Sequence, residues 1–335
     1  MINIYDKNGW LNIPEIAEAP QFIKCLIGGR GIGKTYGVLD YSYNKREKFI
    51  YMRMTQTESD LVLQDDFNPF KSLNNDKGLD VHCERLNKYI GVFYEEIESV
   101  KHVIGYSMSL SCVSKIRGFD ASECKRIIFD EFIEEAHCKK LKSSGLALLN
   151  AYETINRNRE LKGEKPCELW LLSNANTVDS DILLELNILP LHDKIKKSIA
   201  FDDNILLIEP EASPISFKKS QTGIYKLSKS FNKMSLDNQF VGHYEGNIKS
   251  MSLNNSALWI IYNDLSFYTF RDNNLVYVTQ YRRKNERPIY SYGDSDFEKK
   301  KFKAECSSIF NMYLAGMMYF ENTKCEALFN RIWEA

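Results

Sequence analysis

The sequence predicts an α/β domain with a mainly parallel sheet, a linker and a smaller α+β domain, and three observations support this division. In the first part of the chain, short apolar runs alternate with longer mixed segments, a pattern typical of parallel strands joined by helices. The stretch 209–223 contains two prolines and several small polar residues, which indicates a linker. Beyond it, 257–283 is rich in aromatic and β-branched residues, as expected of antiparallel strands, and a helical pattern begins near Asp296. We place the domains and linker at 1–209, 210–233 and 234–335.

The parallel sheet is predicted from short apolar runs rich in isoleucine, leucine, phenylalanine and tyrosine. Four of them suit a buried strand: FIKCLI (22–27), KFIYMRM (48–54), RIIFD (126–130) and ELWLLS (168–173). Two more, KYIGVFY (88–94) and HVIGYSMSL (102–110), are typical of a hairpin at the sheet edge. Helical periodicity predicts helices within 34–46 and 144–160, between the strands.

The composition excludes several classes of protein. Hydrophobic residues make up 44% and charged residues 27% of the 335 positions, which is ordinary for a globular chain with a core. The formal net charge of −1 argues against a surface that is basic throughout, but it leaves room for a local basic track. No apolar run approaches the roughly 18–20 residues that span a membrane. We therefore expect a soluble intracellular protein without membrane partners.

The eight cysteines predict reduced thiols rather than a disulfide framework or a zinc site. None forms a C-x-x-C pair, and we see no secretory segment. The pairs His82-Cys83 and His137-Cys138 lack a second pair at ligand spacing, so metal binding there is disfavoured.

The most specific motif is GGRGIGKT, which fits the phosphate-binding pattern G-x-x-x-x-G-K-[ST]. It comprises Gly28, Gly29, Arg30, Gly31, Ile32, Gly33, Lys34 and Thr35. Glycines let successive backbone N–H groups face the phosphates, Lys34 reaches the β- and γ-phosphates, and the Thr35 hydroxyl ligates Mg²⁺. The loop follows an apolar strand and precedes a helix, which is the context this chemistry requires. With no N-K-x-D motif for guanine, we expect ATP and Mg²⁺ as the bound groups.

Two acidic residues complete the predicted site. RIIFDE ends an apolar strand with Asp130, which suits the Mg²⁺-side carboxylate, and Glu131, which suits the residue that polarises the attacking water. ELWLLSNA delivers Ser173 and Asn174 to the same edge of the sheet. There Asn174 would sense the γ-phosphate, unless it only caps the strand.

The stretch NRNRE carries Arg157 and Arg159 near the end of a predicted helix. A solvated helix end is one interpretation. The other is an arginine finger, which neutralises charge on the transferring phosphoryl group of a neighbouring subunit and is worth about 10³–10⁵ in rate.

These motifs occur in the same order in one family. GGRGIGKT, FIYMRM, RIIFDEF, NRNRE, LLSNA and MSLDNQFVG (234–242) together resemble the DNA-packaging (encapsidation) ATPases of phi-29-like tailed bacteriophages, relatives of the terminase large subunits. The likeness runs from about residue 22 to residue 242 and continues weakly to the end. The phosphate loop is shared very widely, whereas MSLDNQF together with R-G-I-G-K is narrow in distribution.

The resemblance implies a P-loop NTPase of the ASCE (RecA/FtsK/terminase-like) type, followed by a small domain similar to an RNase H-like nuclease that has lost its activity. It implies a homo-oligomeric ring, a pentamer, docked on the capsid portal (connector) and moving double-stranded viral DNA into an empty procapsid. Such a motor would work in the host cell cytoplasm, attached transiently to the portal vertex, and would be absent from the mature virion. The resemblance leaves open whether a packaging RNA takes part.

The resemblance also gives roles to single residues. Arg157 aligns with a finger that acts in trans, and Lys115 with a second cation that reaches across the subunit interface. Arg53 matches a strand arginine of the family, but Met54 stands where relatives have another arginine, so a contact with nucleotide or with DNA is left open. Arg30 would serve nucleotide contacts or signalling between subunits, unless it only faces solvent.

The second domain raises the question of a nuclease. The carboxylates available to hold two metal ions are Asp264, Asp272, Asp294 and Asp296. Asp264 and Asp272 lie in turn dipeptides, where turn formation is a sufficient explanation, so we expect no nuclease activity. The basic cluster Arg282, Arg283 and Lys284 is the preferred contact to DNA or portal, through the phosphate backbone rather than the bases.

The leading hypothesis is an ATP-driven ring that translocates double-stranded DNA into a viral capsid. Three alternatives are kept. They are a terminase with an active nuclease, a RecA- or helicase-like motor on cellular DNA, and a nucleotide-gated assembly factor that docks on the portal without turnover.

Overall fold

The computed structural model describes residues 2–116, 118–135, 138, 140–211, 213–223, 245–270, 275–293 and 295–333. These form two compact units, one made of 1–177 and 194–241 and the other of 178–193 and 242–335. Four features named above lie outside the described residues: His137, Asp272, Asp294 and the MSLDNQFVG segment. Within the described ranges, no helix is both long and apolar enough to cross a bilayer.

The first unit is built on a nine-stranded sheet, counted over the described residues, with the order β3-β4-β5-β2-β6-β7-β1-β9-β8. The strands are β1 Ile23–Ile27, β2 Phe49–Arg53, β3 Val81–Arg85, β4 Ile90–Ile97, β5 Val100–Ser109, β6 Arg126–Asp130, β7 Glu168–Ser173, β8 Ile199–Phe201 and β9 Ile205–Ile208. Six neighbouring strands from β5 to β9 are parallel, while β3, β4 and β8 run antiparallel to their partners.

The helices of this unit occupy the segments between strands. They are α1 Ile13–Ala17, α2 Lys34–Asn44, α3 Gln56–Leu61, α4 Lys71–Lys77, α5 Ser144–Asn156 and, numbered in chain order, α8 Pro214–Ser220. Short 3₁₀ turns cover Asp65–Phe67, Leu110–Lys115 and Glu160–Lys162. The central strands are buried along their length, as continuous apolar runs in a covered parallel sheet should be.

The register of the parallel strands brings four chain segments to one edge of the sheet. Ile27 at the end of β1 pairs with Ser173, and Asp130 at the end of β6 pairs with Leu172. β2 lies on the other side of β6, with Met52 opposite Phe129. The phosphate loop, the two acids after β6 and the polar residues after β7 therefore emerge together, at the edge where open α/β sheets bind ligands.

The second unit contains a five-stranded sheet among its described residues, in the order β13-β10-β11-β12-β14. Its strands are β10 Ser256–Tyr262, β11 Leu265–Phe270, β12 Val276–Thr279, β13 Tyr290–Tyr292 and β14 Met318–Phe320. Its helices are α6 Asp181–Glu185, α7 Leu189–His192, α9 Asp296–Glu305, α10 Ser307–Leu314 and α11 Thr323–Trp333. An aromatic core centred on Phe267, Phe302 and Phe329 fills the space between sheet and helices.

The predicted elements are largely confirmed. The four buried strands, the 88–110 hairpin, the helices α2 and α5, and the antiparallel run after residue 256 all occur, with bounds that differ from the expected ones by at most four residues. The strands β3, β8 and β9 were not predicted, nor were β13 and β14. Most of these are edge strands of three to five residues, too short to give a periodic signal.

The division of the chain differs from the sequence prediction at two places. Residues 178–193 were assigned to the first domain, but they belong to the second unit. The Asp193 carboxylate there accepts hydrogen bonds from the Thr323 N–H (3.1 Å) and hydroxyl (2.5 Å), and Asp181 pairs with Arg331. Part of the predicted linker is also not irregular, because 214–220 forms α8. Both errors concern short segments whose packing partners are distant in sequence.

We expect Asp193→Ala to destabilise the second unit by about 2 kcal/mol, because it removes the acceptor of two hydrogen bonds at the start of α11. Hydrogen exchange should then accelerate in α11 and remain unchanged in α5. The matched control is Asp203→Ala, which removes an exposed carboxylate from the first unit. Equal acceleration in α5 and α11 would contradict the assignment of 178–193 to the second unit alone.

Candidate nucleotide-binding site

A cavity of about 270 Å³ lies at the carboxyl edge of the first sheet. Its lining residues are Arg30, Gly31, Gly33, Lys34, Thr35, Tyr36, Asp130, Glu131, Ser173 and Asn174. The structure thus brings the predicted phosphate loop, both predicted acids and the predicted polar pair after β7 into one site.

The loop has the backbone shape that a phosphate cradle needs. Gly31 and Gly33 have φ of +67° and +93°, which L side chains rarely adopt, and α2 begins at the next residue, Lys34. A side chain at Gly28 would be crowded, because a Cβ there would lie 2.7 Å from Ile32 Cδ1 and 3.2 Å from Pro210 Cγ. The Gly28 N–H donates to the Ser173 carbonyl (3.0 Å), which fixes the loop to β7.

Lys34 is buried and turned back onto its own loop. Its Nζ donates to the carbonyls of Gly28 (2.7 Å) and Gly29 (2.9 Å) and to Asn174 Oδ1 (3.1 Å). Burial lowers the pKa of this ammonium to about 8, although Asp130 and Glu131 partly oppose the shift. Phosphate oxygens must therefore replace these protein partners when Lys34 binds them. The Asn174 side chain would lose its hydrogen bond from Lys34 in that exchange.

Asp130 accepts two hydrogen bonds on the same oxygen. The Thr35 hydroxyl donates to Oδ2 at 3.0 Å and the Tyr51 hydroxyl donates to it at 2.7 Å. Burial raises the pKa of this carboxyl, and the nearby Arg53 guanidinium opposes that rise. A hydroxyl and a carboxylate side by side are the hard oxygen ligands that suit Mg²⁺ together with substrate phosphates. Among the described residues no group of three or more His, Cys, Asp or Glu forms a separate metal site.

Glu131 is held by an ion pair. Its carboxylate binds the Arg53 guanidinium, which also lies 3.8 Å from Asp130 Oδ2. The Glu131 backbone is in the left-handed region at φ +55°, and its side chain is 60% exposed, whereas that of Arg53 is only 15% exposed. The sequence left open whether Arg53 contacts nucleotide or DNA. The structure places it beside the candidate nucleotide site, where it binds Glu131 and approaches Asp130.

Arg30 faces the segment that follows the acids. Its Nη2 lies 2.6 Å from Glu135 Oε1, and both side chains are partly exposed. Surface pairs of this kind contribute about 0–1 kcal/mol, so Arg30 remains free to respond to a ligand in the adjacent cavity.

The two arginines of NRNRE have different environments. Arg159 is buried and donates to the carbonyls of Ala121, Ser122 and Cys124, at 3.3, 2.9 and 2.7 Å, so it is structural. Arg157 lies at the end of α5, is 40% exposed, and contacts Asp120 Oδ1 (3.2 Å) and the Phe119 carbonyl (2.9 Å).

Arg157 does not line the nucleotide cavity of its own chain. Lys115 is exposed at the end of a 3₁₀ turn that packs on α5. Both predicted trans-acting residues therefore belong to the layer around α5, outside the site of their own subunit.

Two contributors to the site were missed. Tyr51 could have been found, because it stands two residues before Arg53 on β2 and must share its face. Lys219 of α8 donates to the carbonyls of Arg30 (2.8 Å) and Gly31 (3.2 Å), but it lies in a stretch whose composition indicated only a linker.

The three residues of the basic cluster in the second unit, Arg282, Arg283 and Lys284, differ in their environments. Arg283 was predicted as a contact, but it donates to the carbonyls of Leu253 (3.2 Å) and Ser256 (2.9 Å), pairs with Glu286 and stacks on Tyr268. It is therefore a structural residue of its own unit. The neighbouring side chains of Arg282 and Lys284 are exposed, and remain available as contacts.

Comparisons with known proteins agree with this geometry. The family model of the podovirus DNA encapsidation protein (Gp16) matches residues 5–333. The DNA packaging protein of Bacillus phage phi29 is 26% identical over 334 residues, covering 95% of each chain. That of Bacillus phage B103 is 25% identical over 323 residues, covering 90% of this chain and 93% of the relative.

Solved structures show the same fold over the whole chain. The bacteriophage Phi-29 viral genome packaging motor assembly matches with a TM-score of 0.65 at 22% identity, over 97% of this chain and 98% of that chain. The Phi-28 gp11 DNA packaging motor matches with a TM-score of 0.62 at 18% identity, over 97% of both chains.

The lowered pKa of Lys34 predicts a specific dependence of stability on pH. Between about pH 8 and 10.5 the unfolded chain retains a proton on Lys34 that the folded chain has lost, so folding is favoured as the pH rises. We expect the unfolding free energy of the wild type, relative to Lys34→Met, to increase by about 3 kcal/mol across this window. Chemical denaturation at several pH values measures it, with the exposed Lys162→Met as control. A difference that stays constant with pH would contradict the buried environment of Lys34.

Proposed function

Because the chain belongs to the podovirus DNA encapsidation protein (Gp16) family, we propose that it is an ATP-driven motor that translocates double-stranded viral DNA into a procapsid through the portal vertex. The observation that carries the proposal is the convergence of the phosphate loop, Asp130 and Glu131 on one cavity. The likeness to the phi29 and B103 DNA packaging proteins over nearly the whole chain supports it.

Each residue of the site has a role in ATP hydrolysis. The N–H groups of the loop and the Lys34 ammonium bind the phosphates, and Lys34 leaves the Gly28 and Gly29 carbonyls to do so. Thr35 and Asp130 would hold Mg²⁺, which neutralises charge on the β- and γ-phosphates. Glu131 orients and deprotonates the attacking water once its pair with Arg53 opens. Asn174 accepts from Lys34 and so registers whether the γ-phosphate has drawn the lysine away.

Hydrolysis would be completed by a neighbouring subunit in a ring. We assign Arg157 as the finger that acts in trans and Lys115 as the second cation, since both lie outside their own site. The phi29 relative was solved as a motor assembly, which supports a ring for this chain. A pentamer on the portal, in the host cytoplasm and not in the mature virion, is the arrangement we propose.

The second unit is proposed as a nuclease-like domain without nuclease activity. Asp264 lies in the turn between β10 and β11, and Asp296 in the first turn of α9, where each has a local role. The exposed Arg282 and Lys284 are the proposed contacts to DNA or portal. The competing function is an assembly factor that binds ATP without turnover.

The function is tested by hydrolysis of ATP with and without double-stranded DNA. We expect turnover that rises with DNA, disappears in Lys34→Ala, and falls about 10²–10⁴-fold in Glu131→Gln, because the base is lost while nucleotide binding is kept. Glu164→Gln, which changes an exposed acid outside the cavity, is the control and should stay within about twofold of the wild type. Wild-type protein that binds ATP without DNA-stimulated turnover would favour the assembly factor. Plasmid cleavage dependent on Mn²⁺ would revive an active terminase nuclease.

Mixed rings test the action of Arg157 in trans. In rings made only of the Arg157→Ala variant, ATP turnover should be lower than in the wild type by about 10³-fold or more. When mixed with wild type, the variant should inhibit beyond simple dilution, because each altered subunit disables a neighbour. The control is Lys162→Ala, an exposed charge in the following 3₁₀ turn. Activity proportional to the wild-type fraction would show that Arg157 acts only within its own subunit.

A further inference from the structure

Lys219 lies behind the phosphate loop. Its helix, α8, begins after Ser213, whose hydroxyl accepts the Ser216 N–H at 3.2 Å. From the last turn of α8 the Lys219 ammonium reaches the loop and donates to the carbonyls of Arg30 (2.8 Å) and Gly31 (3.2 Å). A residue that follows the loop by 189 positions thus binds its backbone.

The loop is shaped to admit this lysine. Gly31 has φ +67°, and a Cβ built on it would clash with Lys219 Nζ. The glycine therefore serves two purposes, since it provides the left-handed conformation and leaves the space through which the ammonium approaches the backbone.

Two lysines together cover the carbonyls of four successive loop residues. Lys34 binds those of Gly28 and Gly29, and Lys219 binds those of Arg30 and Gly31. The two carbonyls bound by Lys219 belong to the peptide groups whose N–H donors are those of Gly31 and Ile32. A cation on the oxygen polarises the peptide group and strengthens its N–H as a donor. It also holds the oxygen away from the side where phosphates bind.

We propose that Lys219 is a positioning residue of the nucleotide site, which holds the phosphate loop in its binding conformation from behind and does not touch the phosphates. The proposal rests on the nucleotide binding inferred above and adds a residue that no phosphate-loop motif contains. It also ties α8 to the occupancy of the site, because coupling between two interactions is reciprocal. If the Lys219 contact increases the affinity of the site for phosphate by some factor, then bound phosphate must stabilise the Lys219 contact by the same factor.

The test compares Lys219→Met with Lys218→Met. Methionine keeps the length of the side chain without the charge, and Lys218 is the exposed neighbour on the same helix. Affinities for fluorescent ADP and ATP analogues are measured with Mg²⁺ by titration. We expect Lys219→Met to weaken both nucleotides about tenfold and equally, the value of one charge-assisted hydrogen bond, with Lys218→Met unchanged. Lys219→Arg should recover most of the affinity.

The other possible outcomes of this titration each overturn either the role of Lys219 or the proposed function. Unchanged affinity in Lys219→Met overturns the proposal. Loss confined to ATP overturns it too, because it would mean direct contact with the γ-phosphate. If the wild type bound neither analogue, the proposed ATPase function would fail, and this outcome is distinguishable from failure at Lys219 alone.

A second measurement uses the wild-type chain and so does not depend on the folding of a variant. By the reciprocity above, ADP with Mg²⁺ should slow hydrogen exchange of the amides in α8 by up to about tenfold. Exchange in α4, which carries no residue of the site, should be unaffected. Protection of the loop and α2 without protection of α8 would show that Lys219 is not coupled to phosphate binding.

Discussion

The buried carboxylate of Asp130 is the constraint on which the site depends. It ends β6 and accepts hydrogen bonds from Thr35, in the first turn of α2, and from Tyr51 on β2. A buried carboxylate is costly unless its oxygens are satisfied, so the phosphate loop, β2 and β6 must keep their mutual register. A slip of one residue would carry the side chain of Asp130 or Tyr51 to the opposite face of the sheet and break these hydrogen bonds. The position of the proposed catalytic acids is thus tied to the register of the sheet.

The charged side chains of the site are balanced by polar or charged groups in contact with them, rather than by charges further away. Arg53 binds Glu131 and approaches Asp130, while Lys34 and Lys219 bind carbonyls of the phosphate loop. Each cation near the loop therefore has an oxygen partner from the protein itself. ATP brings additional negative charge, and the ligand can redistribute these partners without creating an unpaired buried ion. Such a preorganised site is suited to binding phosphate.

The features that could be predicted from the sequence are formed by residues that lie close together in the chain. The phosphate loop is contiguous, and Asp130 and Asn174 each follow an apolar run, so the convergence of parallel strand ends was enough to bring them together. The sequence could not show that Arg159 is buried and Arg157 is exposed. The carbonyls that accept hydrogen bonds from Arg159 belong to residues 121–124, which are remote in the chain. The partners of Arg283 could not be seen in the sequence for the same reason, since its acceptors precede it by nearly thirty residues. Lys219 and residues 178–193 likewise depend on packing that composition does not reveal.

The ion pair of Glu131 bears on when the proposed hydrolysis can occur. Its backbone is in the left-handed region, which costs a non-glycine residue about 1 kcal/mol, and its carboxylate is bound to Arg53. While the pair is closed, the Glu131 oxygen that binds Arg53 cannot also orient an attacking water. Phosphates would bind to Lys34 and the loop, whereas Arg53 is not among the residues that line the cavity. Opening the pair of Glu131 with Arg53 is therefore a step distinct from the binding of phosphates to Lys34 and the loop. A motor that must not hydrolyse ATP idly needs such a separation between binding substrate and using it.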